Sequence, residues 1–579
     1  MSDNGGVRLR SRLLRPFRYP VRWLAFLAGG VPAVLVFPGP SLSYLAWFAL
    51  VPAMVLFTRA GTTREAIARG WWFGAGYLIA ILQWMTPEIG PGVVLIGGVF
   101  GCMWSPFAVA VRRLLRPAVS WPRLLAALAV VPATWLIPEW IRSYQGLGGP
   151  WGLYGASQWQ HPAVLALAGV GGVWLVSVAL LLTNTSLTLI LGAFRPDLLA
   201  PVAPAPEAPP APAAGTPAAG TAAPVPARRR AALAAAGAAT FAAAAAAGPL
   251  AFALTPPFPA VRQVSVALVQ PGLVHDPAKR VDASETLTRQ FTAGNALAKD
   301  HPGLIVWGES SIAYDLAISP GLLAGIENLS RQAGAEILAS QDSTLPGPDG
   351  GQEKVAVLVS PAGIQGRYVK TRLVPFGEYI PFRQQLGWLT KVSKAASSNM
   401  IPGTGAGTLT VTGQGVGAPL RVGVLVCFES AFPDMSRVET DQGAQLIVYQ
   451  SSTSTFQGTW GPDQHASLAA IRAAETGRPV VQAALTGDSA AFDARGRQLV
   501  WLGQDSKGVV TVTLALPAAS ARTFYDQAGD FVMWSGVAIT ALGALVMLLR
   551  RRYFPANSTG APGGRTAQYE ADTGDPVRQ

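Results

Sequence analysis

The sequence predicts a multispan α-helical membrane bundle that carries an extracytoplasmic α/β domain. Half of the 579 residues are hydrophobic and only 13% are charged, whereas soluble domains carry roughly 25% charged residues. Apolar stretches of membrane-spanning length recur through the N-terminal part of the chain, and one more lies near its end. Between them, short apolar runs alternate with helical patterns, which is typical of layered α/β domains.

Eight apolar stretches reach, or nearly reach, the roughly 20 residues that a membrane-spanning helix needs. The fifth contains Pro132 and Pro138, and the seventh is mostly alanine, so neighbouring helices would have to hold it in the bilayer. The predicted spans lie near 23–38, 42–58, 70–86, 92–111, 123–139, 169–194, 231–254 and 530–549.

Basic residues indicate how these spans are oriented. Arginines cluster before the first span, in every second loop and after the last span, whereas the intervening loop 139–162 holds only Arg142. The positive-inside rule then places both termini in the cytoplasm and the α/β region outside it. The net charge of +12 reflects this pattern. Because no basic stripe is interleaved with aromatic residues, we expect no nucleic-acid partner.

The arginine-rich N-terminal segment lacks a small-residue cleavage site after its apolar run, which predicts a retained anchor. The following linker is almost wholly Pro, Ala, Gly and Thr, a composition that cannot build a core. The predicted organisation is a six-helix bundle at 1–195, a cytoplasmic linker at 196–228, a seventh helix at 229–254, the extracytoplasmic catalytic domain at 255–529, an eighth helix at 530–552 and a disordered cytoplasmic tail at 553–579.

Strands and helices alternate along the predicted domain. Apolar runs bounded by turn residues are predicted as strands, and longer amphipathic stretches as helices. The strands lie at 263–270, 304–307, 336–340, 355–359, 421–427, 446–450, 480–484 and 509–514, and the helices at 321–332, 433–442 and 464–476.

Cys427 is the first candidate for chemistry. It ends the predicted strand 421–427, and the other cysteine, Cys102, lies far away inside an apolar segment, so a disulfide is not expected. A thiol where a strand gives way to a loop is where an α/β fold would present a nucleophile. The alternative is an inert core residue, since free cysteines are often buried.

A thiol needs a base, and the chain has only four histidines. A desolvated carboxylate can replace histidine, and a lysine can stabilise both a thiolate and an oxyanion. Glu309 follows the predicted strand 304–307, while Lys370 and Glu378 share a later segment. Taken singly, Glu309 and Glu378 could equally be ordinary loop carboxylates, and Lys370 a solvated strand residue. Together with Cys427 they form a complete set for acyl transfer.

The order of these segments resembles the carbon–nitrogen hydrolase (nitrilase) superfamily. The segments are Trp-Gly-Glu309, then Tyr-Val-Lys370 with Leu-Val-Pro-Phe-Gly-Glu378-Tyr-Ile-Pro-Phe, and then Cys427-Phe-Glu429. Seven spans before the domain and one after it make the chain similar to the apolipoprotein N-acyltransferase family over nearly its whole length. The outer segment Gly148-Gly149-Pro150-Trp151 also resembles that family, as does the segment that starts at Gln464-His465.

The resemblance implies an αββα sandwich on a membrane bundle in the bacterial plasma membrane. It implies Glu309 as general base, Lys370 as the cation that stabilises the intermediate, and Cys427 as nucleophile. Glu378 and Glu429 match positions that the family needs for activity, and His465 becomes a family feature rather than a base. The implied substrates are a phospholipid acyl donor and the amine of a diacylglyceryl-cysteine lipoprotein.

Three positions depart from the family pattern. Gly308 stands where proline is usual, Phe428 where tyrosine is common, and the polar run 451–455 where the family has Asn-Asp-(small)-Trp-Phe. Neither zinc-type Cys/His spacing nor a glycine-rich phosphate loop is present, so we expect no metal and no cofactor. Two alternatives stay open: a membrane-anchored amidase or hydrolase, and a non-catalytic scaffold or transporter. The few ionisable residues in the spans disfavour a transporter.

Overall fold

The computed structural model describes residues 20–117, 119–144, 147, 149–201, 226–298, 301–345, 351–391 and 399–553. The arginine-rich N-terminal residues, most of the predicted linker and the predicted tail lie outside the described residues. The expectations for those segments therefore stay predictions.

Apolar helices form the membrane bundle. In chain order they are α1 (Pro20–Val36), α2 (Val51–Thr58), α3 (Thr63–Ile81), α4 (Gly92–Phe100), α5 (Ser105–Leu114), α6 (Trp121–Arg142), α7 (Ala168–Phe194) and α8 (Ala227–Leu254). A last helix, Phe531–Tyr553, follows the α/β domain. Among the described residues, five helical stretches are long and apolar enough to cross a membrane: Gly92–Leu114, Trp121–Arg142, Ala168–Phe194, Ala227–Leu254 and Phe531–Leu549.

Two predicted spans are interrupted. The stretch predicted at 42–58 is a 3-10 turn, Ser43–Trp47, followed by α2, and the stretch at 92–111 is divided into α4 and α5 by a second 3-10 turn. Pro52 and Pro106 lie in the first turns of α2 and α5. Proline lacks an N–H but suits a first turn, so it starts a new helix there. By contrast, α6 continues through Pro132 and Pro138.

Two six-stranded sheets form the core of the α/β domain. The strands are β1 (Ala260–Gln270), β2 (Leu304–Trp307), β3 (Glu336–Thr344), β4 (Gln352–Ser360), β5 (Gly363–Val369), β6 (Thr408–Val411), β7 (Leu420–Val426), β8 (Leu446–Ser451), β9 (Val480–Ala484), β10 (Ser489–Phe492), β11 (Gln498–Leu502) and β12 (Gly508–Pro517). Their order is β12-β1-β2-β3-β4-β5 in the first sheet and β11-β10-β9-β8-β7-β6 in the second. In each sheet the three central strands are parallel.

Helices cover the outer faces of both sheets. The first sheet packs against α9 (Arg280–Ala298) and α10 (Pro320–Ala333) through one apolar cluster. The second packs against α11 (Pro433–Asp441) and α12 (Gly461–Thr476). Val266 and Val306 on the first sheet share a second cluster with Val424 and Val448 on the other. The architecture is therefore the expected αββα sandwich.

The eight predicted strands and three predicted helices of the domain are confirmed, although β1, β3, β4 and β12 extend up to four residues beyond their predicted bounds. Strand β7 ends at Val426, and Cys427 begins a 3-10 turn instead of ending the strand. Strands β5, β6, β10 and β11 and helix α9 were not predicted. Most of these elements are short, and β5, β11 and α9 are half exposed, so their apolar signal is weak.

Helix α12 joins the domain to the bundle. It is almost entirely buried, with the second sheet on one side and α7 on the other. Helix α7 is broken at Gly171 and Gly172 and resumes at Val173. The backbone N–H of Val173 donates to Glu475 Oε1 at 2.8 Å. A carboxylate from the domain thus satisfies an unpaired N–H at the start of a membrane helix, where the helix dipole favours negative charge.

The crossing of α1 and α3 generates the first prediction. A Cβ added at Gly76 would lie 2.1 Å from the carbonyl oxygen of Phe26. We expect Gly76→Ala to lower the Tm in detergent, because overpacking costs about 1–3 kcal/mol. Gly98→Ala on α4 is the matched control, since nothing lies within 4 Å of its added Cβ. Equal Tm values for the two variants would contradict the close helix crossing.

Candidate active site

The residues singled out in the sequence meet at the ends of strands from both sheets. Glu309 follows β2, Lys370 follows β5, and Cys427 follows β7. Lys370 Nζ lies 3.1 Å from Glu309 Oε1 and 2.7 Å from Glu378 Oε1. The thiol of Cys427 shares a hydrogen bond with the side chain of Glu309. Side chains separated by more than a hundred residues thus form one buried cluster.

Charges inside this cluster set its resting protonation state. Burial disfavours the ammonium of Lys370, but the Glu309 and Glu378 carboxylates outweigh it and hold the pKa of Lys370 well above its usual range. Burial also disfavours a charged Glu309, yet Lys370 and then Lys354 lower the pKa of this carboxyl below its ordinary value. Burial and the charge of Glu309 raise the pKa of the Cys427 thiol to about 12. At neutral pH, an ionised carboxylate therefore faces a neutral thiol, as a general base requires.

Lys354 is a member of this cluster that the sequence did not reveal. It lies on β4, with its Nζ 3.8 Å from Glu309 Oε1 and 3.1 Å from Asp342 Oδ1. It also donates to Ser310 Oγ at 2.6 Å. The sequence around it carries no motif, so only the pairing of β4 with its neighbours indicates the role. Lys354 is a second cation beside the candidate base.

Glu429 fixes the position of Lys370 relative to Cys427. Its Oε2 accepts from the backbone N–H of Val426, just before the cysteine, at 2.8 Å. Its Oε1 accepts from the N–H groups of Thr371 and Arg372, just after Lys370, at 2.7 and 3.0 Å. The Thr371 and Tyr368 hydroxyls donate to the same oxygen. One buried carboxylate therefore ties the ends of β5 and β7 together.

The backbone at Cys427 is strained. Its φ of +51° lies in the left-handed region, which is uncommon for residues other than glycine and marks functional turns. The side chain of His465 hydrogen-bonds to the Cys427 carbonyl, and burial lowers the pKa of this imidazole. Its ring nitrogens also lie 3.3 Å from the hydroxyls of Ser430 and Ser451. His465 therefore supports the turn, which fits the expectation that it is not the base.

An apolar cavity opens onto Cys427 between the domain and the bundle. Its volume is about 380 Å³. Phe428, the residue after Cys427, forms part of the wall. The bundle and the segment after Lys370 supply most of the remaining lining, which includes Leu78, Leu82, Leu95, Ile96, Val99, Phe100, Phe376, Phe382 and Leu386. Such a lining suits a hydrocarbon chain.

Two family models match the chain, one for each part. Residues 29–186 match the apolipoprotein N-acyltransferase N-terminal domain, and residues 265–522 match carbon-nitrogen hydrolase. Both parts of the chain are therefore similar to that family, in the order that the sequence resemblance implied. The sequence resemblance is thereby confirmed.

Curated members of the apolipoprotein N-acyltransferase family align over nearly the full chain. The apolipoprotein N-acyltransferase of Geobacter metallireducens is 28% identical over 91% of this chain and 96% of its own. That of Rhizobium meliloti is 29% identical over 93% and 98%.

Solved nitrilase-superfamily structures also match. A Saccharomyces cerevisiae member is 16% identical over 51% of this chain and 98% of its own, with a TM-score of 0.33. An amidase from Nesterenkonia sp. AN1 is 19% identical over 43% and 92%, with a TM-score of 0.30. Among the described residues, no group of three or more His, Cys, Asp or Glu side chains could hold a metal ion.

Lys354 provides a test of how the base is tuned. Lys354→Met removes one of the two cations that lower the pKa of Glu309, so this pKa should rise. A base with a raised pKa loses its ionised form at a higher pH. We therefore expect the acid limb of the pH–rate profile for alkylation of Cys427 by iodoacetamide to move to higher pH. The rate of alkylation is measured by intact mass at each pH, in a Cys102→Ser background that leaves Cys427 as the one thiol.

Lys354→Arg is the control for this test, because it retains the charge and should leave the acid limb near its wild-type position. An unchanged acid limb in Lys354→Met would rule out Lys354 as a determinant of the Glu309 pKa.

Proposed function

We propose that this protein transfers an acyl chain from a membrane phospholipid to the N-terminal amine of diacylglyceryl-cysteine lipoproteins, through a thioester on Cys427. The observation that carries the proposal is the position of the buried Glu309–Lys370–Cys427 set on an apolar cavity between the domain and the bundle. A soluble amidase has no need of such a cavity. The two matching family models and the names of the aligned relatives support the same activity.

The membrane arrangement is part of the proposal. Eight helical segments span the bacterial inner membrane, both termini are cytoplasmic, and the α/β domain lies on the extracytoplasmic side. The alternation of basic loops supports this orientation, and the long apolar helices support insertion. The predicted domain boundaries at 195, 228, 254, 529 and 552 are retained.

In the first half-reaction, Glu309 takes the proton of the Cys427 thiol as the sulfur attacks the carbonyl carbon of an acyl ester on the phospholipid. The negative charge that develops on the carbonyl oxygen is stabilised by the Lys370 ammonium. Collapse of the tetrahedral intermediate breaks the ester C–O bond. Glu309 returns its proton to the departing glycerol oxygen, and a lysophospholipid leaves a thioester on Cys427.

In the second half-reaction, the α-amine of the lipoprotein attacks the thioester carbonyl. Glu309 accepts a proton from the amine, the C–S bond breaks, and the thiolate of Cys427 takes that proton back. The products are an amide and the free enzyme. Conversion of a thioester to an amide is downhill, so the donor ester and the acceptor amine are the only reactants that the cycle requires.

The apolar cavity favours transfer over hydrolysis. Phe376 and Phe382 of the loop after Lys370 line it together with side chains of α3 and α4. An acyl chain in this cavity would displace water from the neighbourhood of the thioester. In an amidase or hydrolase, water would replace the amine in the second step.

The thioester is the decisive intermediate. We expect purified protein incubated with a phospholipid that carries a labelled sn-1 chain to gain the mass of one acyl group on Cys427, and a diacylated lipopeptide to discharge it. Cys427→Ala should remain unlabelled, and Glu309→Gln should label at least 100-fold more slowly, since general-base catalysis contributes roughly 10²–10⁴-fold.

Cys102→Ser is the matched cysteine control, because Cys102 is exposed and lies in the bundle. It should acylate like the wild type. Discharge by water at the same rate with and without lipopeptide would identify a hydrolase. Failure of the wild type to form any adduct would exclude the thioester mechanism.

A further inference from the structure

Arg142 is a buried cation that the proposed acyl-transfer steps do not use. It is the last residue of α6, its side chain is 4% exposed, and it lines the same cavity as Cys427. Its Nη1 donates to the carbonyl oxygen of Trp151 at 2.7 Å. Its guanidinium carbon lies 5.5 Å from the centroid of the Trp104 ring. Within the described part of the chain, Nε and Nη2 have no hydrogen-bond partner.

The nearest candidate counter-ion is occupied elsewhere. Glu139 lies one turn earlier on α6, but its Oε1 accepts from the indole N–H of Trp135 at 2.9 Å and from the backbone N–H of Tyr154 at 2.6 Å. Its Oε2 accepts from Ser177 Oγ at 3.1 Å. Neutral donors thus satisfy this carboxylate. Among the described residues, no ion pair neutralises Arg142.

A buried guanidinium without an anionic partner is unfavourable unless something supplies the missing acceptors. Its remaining donors lie along one edge of a planar fork, the geometry that matches two oxygens of a phosphate or carboxylate. The rest of the lining is mostly apolar, with Ser452, Thr453 and His465 as its other polar residues. An occupant that combines hydrocarbon with an anionic group bearing paired oxygens would satisfy both parts of the site.

The wall between Arg142 and the nucleophile is continuous. Trp151, whose carbonyl binds Arg142, stacks its ring on His465 with centroids 6.0 Å apart. His465 in turn hydrogen-bonds to the carbonyl of Cys427. An anion held by Arg142 would therefore lie along the same wall as the reacting thiol.

We propose that Arg142 binds the phosphate of the phospholipid donor, with Nε and Nη2 donating to two of its oxygens. The inference rests on the proposed function and adds the group that recognises the donor. A phospholipid places its phosphate and its acyl esters on one glycerol unit. Anchoring the phosphate at Arg142 would position an ester for attack by Cys427 while the acyl chain occupies the apolar part of the cavity. The lipoprotein's diacylglyceryl-cysteine carries no phosphate, so Arg142 serves the first half-reaction.

The test compares two donors that carry the same labelled sn-1 chain: a phospholipid and the corresponding diacylglycerol, which lacks the phosphate. The measured quantity is the rate of Cys427 acylation by intact mass. We expect Arg142→Met to slow acylation from the phospholipid by roughly 10- to 100-fold, the loss typical of a charge-assisted hydrogen bond. The rate from diacylglycerol should change less than about twofold, because the lost contact does not exist with that donor. Arg142→Lys should recover part of the phospholipid rate, since it restores the charge without the fork.

Arg69→Met is the matched control. Arg69 is a 6% exposed arginine of the bundle that binds Glu65 and the carbonyl of Leu56. Its replacement should destabilise the bundle, because it removes these contacts, but the ratio of the two donor rates should stay at the wild-type value. Equal slowing with both donors in Arg142→Met would overturn the phosphate assignment, and so would equal donor rates in the wild type. Absence of acyl-Cys427 in the wild type with either donor would instead overturn the proposed function, and this inference with it.

Discussion

A buried lysine between two carboxylates is the interaction on which the rest of the active site depends. Lys370 is completely buried and binds both Glu309 and Glu378. Removal of any one partner from such a cluster would leave an uncompensated charge in the interior, which is strongly destabilising. Lys354, which also pairs with Asp342, supplies a second positive charge beside Glu309. The two lysines allow Glu309 to stay ionised next to a neutral thiol in an apolar environment.

The charge cluster also requires that the two sheets keep a fixed relation. Glu309 and Lys370 extend from the first sheet and Cys427 from the second. Glu429 holds the turn after β7 against the residues after β5. The carbonyl of Ser451, at the end of β8, accepts from both Glu309 N and Leu485 N. Hydrogen bonds to backbone groups thus place the side chains of Glu309, Lys370 and Cys427, and the strained φ of Cys427 is maintained by this surrounding structure.

Docking of the domain on the bundle creates the apolar cavity that opens onto Cys427. The indole N–H of Trp151, in the outer loop of the bundle, donates to Gln464 Oε1 on α12 at 2.9 Å. Farther along the same helix, Glu475 binds the N–H at the break of α7. Helix α12 therefore contacts the bundle near both of its ends. The cavity belongs to neither part alone, so under the proposed function the α/β domain could reach a substrate that stays in the bilayer.

Residue order and local pattern predicted a layered α/β domain and selected Glu309, Lys370 and Cys427, whereas the family resemblance implied the αββα sandwich and the importance of Glu378 and Glu429. These residues sit in or beside strands with a strong apolar signal, or in an extended motif. Lys354 and Arg142 gave no comparable signal, because each acquires its role from a neighbour that is distant in sequence. Arg142 appeared in the sequence only as the single basic residue of a predicted outer loop. The 3-10 turns within the spans predicted at 42–58 and 92–111 were missed, because apolar length alone does not register a proline that starts a new helix.

The departures from the family pattern have local structural reasons. A Cβ at Gly308 would lie 2.0 Å from the backbone nitrogen of Leu485, so the usual proline does not fit while β2 and β9 end this close together. The ring carbon Cζ of Phe428, which would carry the hydroxyl of a tyrosine, lies against Gly149 in the loop after α6. A Cβ added at Gly149 would lie 2.4 Å from this Cζ. Gly149 itself has a φ of +74°, a conformation that favours glycine.

Phe428 and Gly149 are thus fitted to each other across the boundary between domain and bundle. The missing hydroxyl allows the outer loop to approach the residue that follows the nucleophile. The same loop continues to Trp151, whose carbonyl holds Arg142. The phenylalanine at position 428 is therefore coupled to Arg142 through the short loop from Gly149 to Trp151. Donor recognition and nucleophile position depend on the same backbone segment, so they would change together wherever this loop is altered.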